Sequence, residues 1–316
     1  MPAPRVLPAT ASAAQRAVFR GAAAFTLLSF VMGSIVCATE SGAACPTWPG
    51  CFSGQVGPGG DLNPIIEFAH RFSVIFTGPL LVAAGVMARR RPREERLVRL
   101  LPWVAVAGAI ASGAFGRIVV VGHLPTWLGV VDLACAFVAM LAIGTATLAL
   151  ERAPYRWTAN RTAQLAFAGT GTLIVMHLLG ILTAGPGSYT RCVGWPIWRL
   201  VESDLGTGLQ VTRWAAAVVG TALIAATAWV AWNDRSQARL RTHVVAVVAL
   251  WVAEQVVGAS MGGQRLDLLL AASYSVIAGL LVWTLGMLGA RACLGDSRPW
   301  PEGPRPTPRA TNFSAR

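Results

Sequence analysis

Eight separate stretches of about 20 predominantly apolar residues run through this chain, the length an α-helix needs to cross the hydrocarbon core of a bilayer. They fall at roughly 18–39, 64–88, 98–121, 127–150, 163–185, 208–232, 243–261 and 268–290. Of the 316 residues, 54% are hydrophobic and 13% charged, where soluble domains carry about a quarter charged. A backbone in lipid must satisfy its own polar groups, so the expected fold class is an all-α integral membrane protein. Several windows carry one or two polar residues, which suits a bundle with an internal site. No separate soluble domain is visible.

The net charge of +12 is explained by topology. All 26 basic residues are Arg and they cluster in alternate loops. Arg5 and Arg16 precede the first span, and Arg89, Arg90, Arg91, Arg93, Arg96 and Arg99 follow the second. Further groups follow the fourth and sixth spans and fill the tail, whereas 40–62 has no basic residue. The positive-inside bias then places both termini in the cytoplasm of a bacterial plasma membrane, with nucleic acid excluded as a partner. The first span is read as a retained helix, with no cleavage signature of a signal peptide. The Pro-rich tail is expected to be disordered.

A shift of 147 places Gly33 on Gly180, Cys45 on Cys192, Trp48 on Trp195 and Pro49 on Pro196. In each case an apolar span ends and a Cys-x-x-Trp-Pro loop follows, which points to a duplicated four-helix unit. The expected organisation is an N-terminal arm (1–17), a first half (18–150), a second half (151–290) and a tail (291–316).

Three features carry chemistry. Cys45 and Cys51 lie six apart in a Pro/Gly-rich loop on the expected oxidising side, which favours a short-loop disulfide. Glu67 and His70 share one face of the second span, and such a pair in a membrane calls for a cofactor, a cavity or mutual pairing. Neutral imidazole is a common axial haem ligand, which a carboxylate can orient or serve as proton acceptor. Asp132, His177, Arg213, Glu254 and Ser273-Tyr274-Ser275 are further polar positions inside spans. Glu254 could balance Arg213 or Arg265, and His123 reads as a solvated turn residue, His243 as interfacial. Cys37, Cys135 and Cys293 read as ordinary membrane or tail cysteines, and Cys192 has no local partner.

From Glu40 to Cys51, and again at Glu67-Phe-Ala-His70-Arg71, the sequence resembles the haem A synthase family. That family oxidises a methyl group of haem O to a formyl group, in eight spans forming two pseudo-symmetric halves. The resemblance implies Glu67 as the catalytic carboxylate, with His70, Arg71 and Asp132 lining a haem site and His70 facing the iron. It also implies haem, haem O synthase or oxidase assembly factors, and a homo-oligomer as partners, besides the lipid bilayer. The family places an axial His in each even-numbered span; here only His70 stands in such a place, with Asp132, Arg213-Trp214 and Ser273 at the others. A haem O, A or b in the first half is therefore expected, and a haem b in the second half is not. Three readings follow: a divergent haem A synthase, a non-enzymatic haem-binding or assembly subunit, and a structural subunit held by buried ion pairs.

Overall fold

The computed structural model describes residues 11–48, 50–121, 126–184, 191–196, 207–261 and 268–295. Among these, eight helices are long and apolar enough to cross a membrane. They are α1 (Ala13–Ala38), α2 (Leu62–Ala88), α3 (Arg96–Val121), α4 (Thr126–Glu151), α5 (Arg161–Thr183), α6 (Thr207–Asn233), α7 (Arg241–Ser260) and α8 (Leu268–Cys293). Two short strands, β1 (Arg156–Trp157) and β2 (Leu294–Gly295), pair antiparallel at one end. The protein is an all-α, multi-pass membrane protein. The final helix runs to Cys293, slightly beyond the tail boundary expected at 291, and residues 296–316 lie outside the described residues.

The helices pack as two rings: α1 on α2, α2 on α3, α3 on α4 and α4 on α1; then α5 on α6, α6 on α7, α7 on α8 and α8 on α5. The rings meet through α1 against α8, α4 against α5, and α4 against α8. That pattern is what a two-fold exchange of the halves predicts for their shared interface. The first helix of each ring starts alike. Ser12 accepts from the Gln15 N–H and Gln15 reaches back to the Ser12 N–H, while Asn160 accepts from the Ala163 N–H at the start of α5. Both devices satisfy N–H groups that a helix start leaves unpaired.

The two ends of the bundle differ. At the arginine-rich end, Arg91 grips Glu95 through two bonds of 2.8 Å. Arg152 and Asn160 donate to the carbonyls of Arg291, Leu294 and Ala292 at the end of α8 and the start of β2, and Arg239 adds a second donor to Leu294. At the opposite, disulfide-bearing end the loop after α1 and residues 191–196 after α5 pack against the helices.

Tight helix contacts depend on glycine. A Cβ on Gly108 of α3 would lie 2.8 Å from the Cys135 carbonyl oxygen of α4, a backbone atom that cannot step aside cheaply. Gly108→Leu is expected to destabilise the protein by about 1–3 kcal/mol through overpacking, read as a lower unfolding temperature in detergent. Gly113→Ala, whose added carbon meets no described atom within 4 Å, should leave that temperature within error.

Candidate functional site

A cavity of about 900 Å3 occupies the disulfide-end half of the first ring. Its volume sits at the upper end of the roughly 300–1,000 Å3 typical of ligand and cofactor pockets. Glu67, His70, Arg71 and Asp132 all line it, so four positions singled out in sequence share one space. Hydroxyls of Thr26, Ser29 and Thr77 mark its deep end, and Glu40, Trp48 and Arg191 its mouth.

Arg71 organises the mouth. Its Nε donates to Glu67 Oε1 at 2.8 Å, one helical turn away on α2. Its remaining nitrogens donate to the carbonyls of Thr47 (2.5 Å), Gly50 (3.1 Å) and Cys45 (2.8 Å). The loop closed by the Cys45–Cys51 disulfide is thus wrapped around one guanidinium. A planar fork of donors can reach several carbonyls at once; an ammonium cannot.

His70 lies against Gly33 of α1, where a Cβ would come within 3.1 Å of the imidazole Cε1. Glycine there leaves room for the ring. The Nδ1 atom is buried and has no hydrogen-bond partner among the described residues. Below the ring, Ser29 Oγ bonds Ser73 Oγ (2.9 Å) and Thr77 Oγ1 (2.8 Å), and Ser73 donates to the His70 carbonyl (2.7 Å). These hydroxyls lock α1 to α2 at the level of the site. Asp132 on α4 accepts from Ser112 of α3 at 2.5 Å. Neither His70 nor Arg71 bonds it among the described residues, and the Arg117 side chain lies outside them.

The second ring answers the same plan differently. Its loop residues Gly194 and Trp195 receive one buried polar side chain from each of four helices. The Gly194 N–H donates to His177 Nδ1 of α5 (3.2 Å), and Arg213 of α6 donates to the Gly194 carbonyl (3.2 Å). The Trp195 N–H donates to Glu254 of α7 (3.1 Å), and the Tyr274 hydroxyl of α8 donates to the Trp195 carbonyl (2.7 Å). The carbonyls of Thr47 and Gly194 stand 147 apart, the offset of the repeat, and each accepts from an arginine of the following helix, although Arg71 and Arg213 themselves are 142 apart.

The paired tryptophans go opposite ways. Trp48 is 62% exposed at the cavity mouth, whereas Trp195 is 5% exposed in the core of the second ring. The indole of Trp195 reaches Gly220 of α6, and Tyr274 packs on Gly258 of α7. Among the described residues, side chains therefore occupy the second ring where the first is hollow. His177, open in sequence as a ligand, is committed to a loop amide, and Glu254 to another.

Two readings of the cysteines need correction. Cys37 is disulfide-bonded to Cys192, with Cα atoms 5.8 Å apart and 155 residues between them in sequence. It is therefore no ordinary membrane cysteine, and Cys192 has a partner after all. Cys37 ends α1 and Cys192 follows α5, so the bond ties the two rings together along the cavity wall. Only spatial proximity reveals this pair. Cys135 and Cys293 are free thiols. His123 and Arg265 lie outside the described residues. Among the described residues no three His, Cys, Asp or Glu side chains gather as a metal-ligand set.

No family model matches the chain. It is similar to the protoheme IX farnesyltransferase of Roseiflexus castenholzii (strain DSM 13941 / HLO8), 28% identical over 230 residues, covering 66% of this chain and 41% of that protein. A second protoheme IX farnesyltransferase, from Roseiflexus sp. (strain RS-1), is 26% identical over 221 residues, covering 65% and 40%. The chain spans about two-fifths of the length of these curated relatives. It is a multi-pass membrane protein distantly similar to proteins named for farnesylating protohaem.

Two outcomes follow from the site. Arg71→Ala strands a buried carboxylate at Glu67 and should cost about 3–5 kcal/mol, with Arg71→Lys recovering little of it in the same denaturation series. A protease site inserted at exposed Ala159 should cut the chain between the rings. The fragments should then run together on a non-reducing gel and separate after reduction, and in Cys37→Ser they should separate in both.

Proposed function

We propose that the protein works in haem biosynthesis and binds a haem-class molecule in the first-ring cavity, acting there like a haem A synthase. The observation that carries this reading is the convergence of His70, Glu67, Arg71 and Asp132 on one pocket of about 900 Å3. A large, mostly apolar pocket with a few convergent polar groups is the usual form of a ligand or cofactor site. The similarity to protoheme IX farnesyltransferases supports the same chemical neighbourhood: a protohaem skeleton and a farnesyl chain.

Haem is here the substrate or cargo, and its iron is what an imidazole would hold. His70 would face the iron, Gly33 would keep its ring in place, and Glu67 and Asp132 are the carboxylates facing the ligand space. Oxidation of a ring methyl to a formyl group takes its oxygen from water and releases four protons and four electrons. Carboxylates in the cavity suit the protons; a one-electron acceptor must be supplied by a redox partner. In this reading the disulfide-bearing end faces the oxidising side of a bacterial plasma membrane and both termini face the cytoplasm.

A second reading is favoured by one observation. Trp195 and four committed polar side chains, His177, Arg213, Glu254 and Tyr274, occupy the second ring, and α6 and α8 hold no histidine for an electron-carrying haem. A haem-binding or oxidase-assembly subunit that performs no oxidation needs no such relay.

Absorption spectra in detergent, oxidised and reduced, test both. One haem per chain is expected, with affinity falling more than tenfold in His70→Ala. Absence of any Soret band after expression with excess haem would overturn the haem reading, and two bis-histidine spectra would overturn the filled second ring. Haem extraction from a deletion strain separates the two readings: loss of haem A identifies the synthase, and unchanged haem A the assembly subunit.

A further inference from the structure

We propose that the cavity is loaded sideways from the membrane, through a cleft between the disulfide-end halves of α2 and α3. The ligand class this selects is an amphiphile whose polar head faces His70, Arg71 and Asp132 while a long alkyl chain lies in the cleft. The proposal deepens the haem reading and rests on it only for the identity of the head group.

Four observations carry it. First, residues that line the cavity also face outward: Val74 and Ile75 of α2 are 42% and 63% exposed. Second, Gly113 and Gly116 of α3 line the cavity, and a Cβ added at either would meet no described atom within 4 Å. A span that merely abuts another would have no such gap.

Third, α2 and α3 do pack closely at the arginine-rich end. A Cβ on Gly85 would lie 2.9 Å from the Trp103 ring, and the Arg89 guanidinium covers that ring at 4.8 Å. The helices are thus joined at one end and parted at the other. Pro79, inside α2, offers no N–H to the Ile75 carbonyl, so α2 lacks one helical hydrogen bond at the level of the cleft.

Fourth, the second ring shows what a closed version looks like. Gly258 of α7 corresponds to Gly113 of α3 at an offset of 145, two short of the 147 of the loops, and there the Tyr274 hydroxyl lies 3.0 Å from where a Cβ would stand. Among the described residues, the space left open beside Gly113 is thus occupied beside Gly258. At the cavity's other opening stand polar and charged side chains, Glu40 and Arg191 beside Trp48. An alkyl chain has no favourable path there, whereas the cleft opens on lipid.

Thiol labelling tests the route without relying on haem. Ala136 lines the cavity from α4, diagonal to α2 in the ring. In a Cys135→Ala/Cys293→Ala background with both disulfides intact, Ala136→Cys provides one reactive thiol. In proteoliposomes, membrane-dissolved N-dodecylmaleimide should label it at least tenfold faster than a charged, impermeant sulfonate maleimide. Adding Gly113→Leu should slow the dodecyl reagent at least tenfold, with Gly113→Ala unchanged and unfolding temperatures matched. Equal rates for the two reagents, or no effect of Gly113→Leu, would overturn sideways loading and assign access to the Trp48 mouth. A failed haem spectrum with the expected labelling pattern would instead remove the haem reading and leave the lateral route standing.

Discussion

An arginine reaching from the second helix of each ring to the backbone of the preceding loop is the contact on which the disulfide-bearing end depends. A loop lying over a membrane bundle carries carbonyls that need donors, and a buried guanidinium supplies several in one plane. Arg71 does this for three carbonyls and is itself held by Glu67. Arg213 takes the equivalent Gly194 carbonyl. Once the loops are fixed, the fate of the tryptophan that each carries decides whether its ring is hollow or full.

That decision divides the labour between the rings. Where Trp48 turns outward, a cavity with an imidazole, a carboxylate and an ion pair remains. Where Trp195 turns inward, four helices each spend a polar group on two loop residues, Gly194 and Trp195. Their neighbours Arg191, Cys192 and Val193 form part of the cavity wall of the first ring. The filled ring thus serves the hollow one as a mould serves a casting: it sets the shape of a wall that it does not itself use.

Much of this could be read from sequence because it depends on short-range pattern. Apolar length marked all eight spans to within a few residues, and Cys45–Cys51 and Glu67–Arg71 are close enough in sequence for chain geometry to decide them. What escaped depends on distance. Cys37 looks like any small apolar residue at a helix end until α5 brings Cys192 beside it. Glu254 and His177 look like unpaired polar groups in apolar spans, because their partners are backbone amides, which no side-chain pattern announces. Asp132 meets Ser112, a residue too ordinary in an apolar helix to attract attention. The opposite orientations of Trp48 and Trp195 were invisible for a deeper reason: the repeat makes their local sequences alike.

The cysteine arrangement also constrains how the chain is made. Cys45 and Cys51 can join as soon as their loop emerges, whereas Cys37 must wait for Cys192, 155 residues later. At synthesis rates of about 5–20 residues per second, that wait is roughly 10–30 s. Three cysteines near the first loop offer wrong partners during it. Early closure of the six-residue pair removes two of them from competition and leaves a single thiol for the late arrival. The short disulfide thereby acts as a protecting group for the long one, and the order of pairing is written into the spacing of the cysteines.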